Sequence, residues 1–323
     1  MSDGPALFVE APARLHFGVL DLRGDRGRRF GGIGAAVPAP SLLLEARPSS
    51  VLEAEGPGAD RVLEFAQRFA RHHALELKLA FRVHRAIPSH AGLGSGTQLA
   101  LAVARAAAEF SGLSTDVAAL ALAVGRGRRS GIGTWTFAHG GFVLEGGRLD
   151  HTERVAPLIA RLPLPEAWRC VVAVPPGEPG LAGDDEAAAF ARLPPPPPAE
   201  VERVAHLVLM QLLPALAEGD LAGFGGALAD VQRITGGWFA PAQGGVFAPA
   251  ARDLIERLRA WGAVGVGQSS WGPAVYGIVG DAARAADLAA RVGAALGPSG
   301  TVFAGGFSRD GARVWRGTSA VSG

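Results

Sequence analysis

Residues 88–104, PSHAGLGSGTQLALAVA, place a glycine-rich turn directly ahead of an amphipathic helix. In the segment before it, Leu75, Leu77, Leu79, Phe81 and Val83 alternate with the period of a half-buried strand; after it, Leu99, Val103 and Phe110 recur near helical spacing. The junction is therefore strand, loop, helix. Gly92, Gly94 and Gly96 permit positive φ and close backbone approach, with Leu93, Ser95, Thr97 and Gln98 set among and after them. The first helical turn presents unpaired N–H groups and the positive end of its dipole to whatever fills the loop, and a phosphate or diphosphate is the expected occupant. No Lys-Ser/Thr follows, so the loop is not a Walker motif, and its flanks do not match a dinucleotide fingerprint. A glycine-rich turn can equally be only a turn, and the loop alone leaves function open.

At 323 residues the chain exceeds the usual single core, so one large or two associated domains are expected. A Pro-rich stretch near 157–165 suggests halves at 1–165 and 166–323. With 31 basic and 30 acidic residues the net charge is +1, which excludes a general nucleic-acid or membrane-surface binder and makes any anion preference local. Lys78 is the only lysine, so nearly all positive charge is guanidinium, whose planar fork suits phosphate and carboxylate. Cys170, the one cysteine, lies in an apolar run and reads as a buried structural thiol rather than a nucleophile. The N-terminus lacks a basic start and an apolar signal core, and no apolar run approaches the roughly 20 residues of a membrane span. A soluble, cytoplasmic protein is expected. The eight histidines show no metal-protease spacing, and adjacent His72 and His73 read as surface residues rather than a zinc site.

Further strands are expected at 7–9, 41–46, 51–55, 142–144, 169–174, 263–266, 274–279 and 301–304, and helices at 184–191, along Val201, Val204, Val208 and Leu212, at 252–261 and at 281–296. Pro194 to Pro198 form a stiff spacer that cannot be helix. Strands and helices mix without regular alternation, which points to an α+β architecture.

Two segments share arginines followed by Gly-x-Gly. DLRGDRGRRFGGIG carries Arg23, Arg26, Arg28 and Arg29; GRGRRSGIGT carries Arg126, Arg128 and Arg129 with Ser130, Gly131 and Gly133. One such run is usually a solvated loop. Two of them beside a phosphate loop make a substrate with several anionic groups plausible, because guanidinium forks and backbone amides can hold several phosphate oxygens at once. GAVGVGQSSWGP could bring Gln268, Ser269 and Ser270 to the same cleft, or be an ordinary hairpin.

The order APARLHFGVLD, PSHAGLGSG and a degenerate GVGQSSWGP resembles the GHMP superfamily of small-molecule kinases. Within it, PARLHFGVLDLRG, RRFGGIG, GRGRRSGIG and FAHGGFVLEGG are most similar to the β-ribofuranosylaminobenzene 5′-phosphate synthase family of methanopterin biosynthesis. The resemblance implies a two-domain GHMP-kinase-like fold, with an N-terminal half like ribosomal protein S5 domain 2 and a ferredoxin-like C-terminal half. It also implies that phosphoribosyl diphosphate reacts with 4-aminobenzoate, or a close relative such as 4-hydroxybenzoate, with loss of diphosphate and CO2. An ATP-dependent kinase and a non-catalytic ligand sensor on the same scaffold are the alternatives.

Diphosphate loss leaves an oxocarbenium-like centre, so such a site needs donors on the leaving group more than a nucleophile. The arginines are therefore assigned to phosphates, Arg14 among them, since a clamp on the departing carboxylate would stabilise the ground state. Trp135, Phe137 or Trp271 could stack on the acceptor ring. His16 is a candidate for proton movement or a simple hydrogen bond to substrate. Mg²⁺ is expected with the diphosphate, with Asp21 or Glu186 as ligand. Asp184, Asp185 and Glu186 could form an acidic lip or merely a helix start. A homodimer is the default assembly.

Overall fold

The computed structural model describes residues 6–149, 152–177, 180–181 and 183–318, without the side chain of Asp184. Two long strands organise the first half. β1 (Ala6–Asp21) and β2 (Arg28–Pro48) form one antiparallel hairpin, far longer than the short strands expected at 7–9 and 41–46. Both strands are buried on both faces, which removes the alternation by which a strand is read. Register shifts after Pro12 and His16 bend the ribbon, so proline and glycine sit at irregularities rather than ending it.

β3 (Glu53–Glu55) and helix α1 (Ala59–His73) follow, then β4 (Leu79–Arg85), which pairs with the second part of β2. Helices α2 (Ser95–Ser111), α3 (Val117–Ala123) and α4 (Ile132–His139) come next; α2 and α4 cover β1 and β2. β5 (Phe142–Glu145) pairs with the first part of β2, β6 (Arg148–Leu149) with its start, and β7 (Leu158–Leu162) with β5.

The second half opens with β8 (Arg169–Val174), at the expected position. Helix α5 (Gly183–Arg192) precedes the proline run. The spacer ends one residue early, because Pro198 opens α6 (Pro198–Leu207), where a missing N–H costs nothing. A π-helical turn, Val208–Leu212, joins α6 to α7 (Leu213–Glu218), and α8 (Leu221–Gln243) follows. Then come α9 (Pro249–Ala260), β9 (Val264–Gln268), β10 (Val275–Val279), α10 (Ala282–Leu296), β11 (Thr301–Gly305) and β12 (Arg313–Gly317).

The second sheet runs β11-β8-β10-β9, entirely antiparallel, and its β-α-β-β-α-β winding is the ferredoxin-like order. Cys170 and Val172 of β8 face the main core with Phe224 and Leu228 of α8, while Val171 and Ala173 face α9 and α10 through Leu254, Leu258 and Leu288. A strand buried on both sides must be apolar throughout, as RCVVAV nearly is. The chain finally returns to the first sheet, where β12 pairs with β1 and Trp315 stacks on Phe8. No helix among the described residues is long and apolar enough to cross a membrane.

Candidate active site

A cleft of about 720 Å³ opens between the two sheets, lined from β1 by Arg14 and His16 and from the opposite side by α8. Its walls come together because three turns interlock at β1. The loop before α2 ends at Gly94, whose φ of 77° caps the helix with no side chain, its carbonyl taking the Thr97 and Gln98 N–H groups at 3.0 Å. A Cβ on Gly94 would strike Arg14 Cγ at 2.6 Å. The Arg14 N–H bonds the Leu93 carbonyl at 3.1 Å, and its guanidinium Nη1 donates to the Gly92 carbonyl at 2.6 Å. The same carbonyl accepts the Ser269 hydroxyl at 2.7 Å, and Ser269 Oγ accepts the His16 N–H at 2.9 Å. Gly92 lies so close to the Ser269 carbonyl that a Cβ would overlap it. The phosphate loop, β1 and the β9–β10 hairpin are thus one rigid corner.

The second arginine segment joins that corner. Ser130 Oγ lies 3.3 Å from His16 Nε2, and Arg129 reaches across to Glu186 on α5 at 2.6 Å, with its guanidinium 5.6 Å from the Phe190 ring. Arg129 Nη1 is buried without a hydrogen-bond partner among the described residues, a donor left for a ligand. Burial draws the Arg14 guanidinium down to about 10, opposed by Glu186, so it stays charged at neutral pH. Burial, and then the Arg14 charge, drives the His16 imidazole down to about 3, which keeps it neutral. Behind them Glu145 is wholly buried, accepting the N–H groups of Gly131 at 3.2 Å and Gly147 at 2.8 Å; burial pushes its carboxyl up to about 7.

One wall of the cleft is aromatic. Phe30, Phe190, Phe239 and Trp271 meet edge to face, with ring centroids 4.9 to 5.7 Å apart. Trp271 is thus the one expected stacking residue that lines the cleft; Trp135 instead bonds the Ala156 carbonyl, and Phe137 is core. From α8, Gln232, Thr235, Gly236, Phe239 and Gln243 share the face turned to the cleft. Sequence reasoning missed this helix because GG pairs and Pro241 interrupt it, although 232, 235, 239 and 243 keep helical spacing. Gly236 is required there, since a Cβ would overlap the Val246 carbonyl. Glu145 and Phe190 were also missed, being unremarkable until the fold places them.

Several expected site residues lie elsewhere. The first arginine segment is the β1–β2 turn: Arg28 Nη1 donates to the Gly147 carbonyl, Arg29 Nε to the Leu22 carbonyl, and only the next two residues, Phe30 and Gly31, line the cleft. Asp21 is spent on that turn, accepting the N–H groups of Arg23 and Gly24. Gln98 is fully buried, and its Nε2 donates to the Gly133 carbonyl at 2.9 Å, tying α2 to α4, where Thr97 also touches Gly133. Arg128 is exposed, and its carbonyl accepts Arg148. Arg126 lies with its guanidinium 5.0 Å from the Phe65 ring, near Arg61 and the Gly96 backbone. Ser95, Ser89 and Arg61 line a smaller cavity on the outer side of the loop, so the phosphate loop divides two spaces.

Gln268 and Ser270 line the cleft, with Gln268 held by Ala248 N–H, Gln243 and the Ser270 carbonyl. Asp185 is exposed, and Asp184 lies outside the described side chains. No cluster of three or more His, Cys, Asp or Glu able to hold a metal occurs among the described residues, and Glu186 is the one carboxylate on the cleft. That set fits a Mg²⁺ carried mainly by substrate phosphates, which needs only one or two protein carboxylates.

The GHMP kinases N terminal domain family matches residues 60–141 and the GHMP kinases C terminal family matches residues 212–298. A curated protein of Methanothermobacter thermautotrophicus named beta-ribofuranosylphenol 5′-phosphate synthase is 35% identical, over 94% of this chain and 97% of its own. Its Archaeoglobus fulgidus namesake is 35% identical, over 84% and 87%. Among solved structures, homoserine kinase of Cytophaga hutchinsonii superposes with a TM-score of 0.70 at 18% identity, covering 98% of this chain and 99% of its own. Mevalonate pyrophosphate decarboxylase of Streptococcus pyogenes gives 0.68 at 13%, covering 96% and 99%. At such identities the two structures speak to the fold alone.

Proposed function

The chain belongs to the beta-ribofuranosylphenol 5′-phosphate synthase family of the GHMP superfamily, and from that premise we propose that it is a decarboxylating pentosyltransferase joining phosphoribosyl diphosphate to a 4-substituted benzoate. One observation carries the reading. The cleft sets Arg14 and the orphan Nη1 of Arg129 beside an aromatic wall built by Phe30, Phe190, Phe239 and Trp271, with the Arg129 guanidinium 5.6 Å from the Phe190 ring. That juxtaposition suits a phosphorylated donor and a ring acceptor side by side. The relatives' names describe a phenol, the product that 4-hydroxybenzoate would give, so that acid is the proposed acceptor, with 4-aminobenzoate its competitor.

In this reading Arg14 and Arg129 hold donor phosphates and stabilise departing diphosphate, where charge grows as the C1′–O bond breaks. Mg²⁺ would supply further charge on the leaving group, with Glu186 as its protein ligand. The aromatic wall holds the ring carbon near C1′ and excludes water from the oxocarbenium-like centre. No arginine is assigned to the acceptor carboxylate, whose loss as CO2 restores aromaticity.

The test is incubation with phosphoribosyl diphosphate and carboxyl-labelled 4-hydroxybenzoate or 4-aminobenzoate, without ATP. Labelled CO2 is expected, faster from the hydroxy acid. ATP consumption with a small metabolite and no labelled CO2 would establish a kinase instead. Tight diphosphate binding with no turnover of any pair would establish a sensor.

A further inference from the structure

Helix α5 touches the cleft along one narrow stripe. Glu186, Ala189 and Phe190 are half-buried, while the other described residues of the helix are exposed. Two anchors hold that stripe. Glu186 pairs with Arg129 at 2.6 Å, the one hydrogen bond from α5 to a distant part of the chain among the described residues. Phe190 stands edge to face against Phe30, Phe239 and Trp271, with centroids 5.6, 5.7 and 5.4 Å away and interplanar angles of 80 to 86°. Four positions separate Glu186 from Phe190, so both leave one face of the helix, a turn apart.

These anchors carry the chemistry of the two substrates. A carboxylate sits on the guanidinium assigned to donor phosphate, and a benzene ring sits among the rings assigned to the acceptor. We propose that α5 is a built-in plug: Glu186 holds the place of a donor phosphate oxygen on Arg129, Phe190 holds the place of the acceptor ring on Phe30, Phe239 and Trp271, and the two substrates displace the helix together. The inference rests on the donor and acceptor regions assigned above.

Arg129 favours exchange over a permanent structural pair. Glu186 satisfies its Nη2, but its Nη1 is buried without a partner among the described residues, and a phosphate has oxygens enough for both arms of the fork. Solvent reaches the pair, whose side chains are 32% and 23% exposed, so it is a weak anchor. Released from Arg129, the Glu186 carboxylate is available to the Mg²⁺ assigned to it above. The ends of α5 also leave it room: Gly183 has a φ of 59° and open space where a Cβ would lie, and the proline run that follows is held at the Pro196 carbonyl by Arg23 Nη1 at 2.8 Å. Undocking the helix costs free energy that falls on whichever ligand arrives first, and the second enters a cleft already open. Donor and acceptor therefore tighten one another's binding without touching. Once undocked, a helix of 10 residues is too short to hold itself together in water, so its amides lose protection.

The test uses inorganic diphosphate as the anion probe and phenol, which carries no charge, as the ring probe. Both are titrated calorimetrically into the native protein, Glu186→Gln and Phe190→Ala, and amide exchange is followed along α5. In the native protein saturating diphosphate should tighten phenol binding about tenfold, and the two probes together should raise α5 exchange about tenfold. Cross effects separate a plug from a fixed wall. Phe190→Ala should bind diphosphate about tenfold more tightly than the native protein, and Glu186→Gln should do the same for phenol, because each has lost the anchor that the other ligand displaces. Residues that only support the fold or hold a ligand would leave those affinities unchanged or lower them. Native α5 exchange that stays level or falls with both probes present would overturn the plug, as would native diphosphate affinity in Phe190→Ala. Where Phe190→Ala fails to fold, native phenol affinity in Glu186→Gln overturns it equally. The labelled-CO2 assay reads the functional assignment separately: a protein that shows the exchange and the cross effects but releases CO2 from neither acid keeps the plug and loses the transferase reading.

Discussion

Arg129 and Arg128 are neighbours with the same side chain and opposite fates. Arg129 pairs with Glu186 and lies 5.6 Å from the Phe190 ring, both on α5, with an unpartnered Nη1, whereas Arg128 is exposed. Replacing Arg129 with Ala should weaken phosphoribosyl diphosphate binding by about 1.5 to 3 kcal/mol, the scale of a hydrogen bond to a charged group, and Arg128→Ala should leave it unchanged. Calorimetric titration of the two variants reads the difference, and equal effects would remove Arg129 from the donor site. At the aromatic wall, Trp271→Ala should raise KM for the acid while donor affinity holds, the result expected if the proposed acceptor stacks on that ring. The run GRGRR announces guanidinium groups; it does not say which one turns inward.

At the scale of elements, the loop before α2 and helix α8 make opposite demands on the sequence. The loop is legible because its glycines are local requirements: Gly94 must adopt φ of 77° to cap α2. A β-branched residue at Gly94 meets both that strain and the Arg14 side chain, so Gly94→Val should abolish turnover while circular dichroism stays near native. Helix α8 was illegible because its glycines answer to distant neighbours, Gly236 to the Val246 carbonyl above all. Gly236→Ala should therefore cost about 1 to 3 kcal/mol by overpacking, although alanine is the better helix former. A raised denaturation midpoint in that variant would show that the close approach is not tight. β1 and β2 were seen only as fragments for a related reason, since burial on both faces erases a two-residue period.

For the whole molecule, the last strand matters to the first. β12 pairs with β1 from Glu10 back to Ala6, a few residues before Arg14 and His16, and Trp315 stacks on Phe8 at 5.4 Å. Trp315→Ala should cost about 1 to 2 kcal/mol of stability and raise amide exchange along β1. Unchanged exchange at β1 would mean that the second strand holds it alone. The main hydrophobic core is also shared: Phe17 and Phe142 from the first sheet meet Tyr276 and Phe224 from the second half. The cleft walls are consequently fixed by one packed interior rather than by two hinged bodies.

The sequence by itself determined the α+β class and the anion-ready loop, because both are written in short-range patterns of periodicity and glycine placement; the ferredoxin-like winding of the second half came only through the family resemblance. The sequence also determined that Arg14, His16, Arg129, Ser130 and Trp271 were worth watching. Only the tertiary structure decided that Arg28, Arg29 and Asp21 belong to a hairpin turn, that Gln98 and Gly133 lock two helices, and that Glu145 is buried on the Gly131 and Gly147 amides. Those assignments depend on which elements pack together, whether two helices tied by Gln98 and Gly133 or a turn held by the distant Gly147 carbonyl, and such neighbours leave no periodic trace in the chain that makes them.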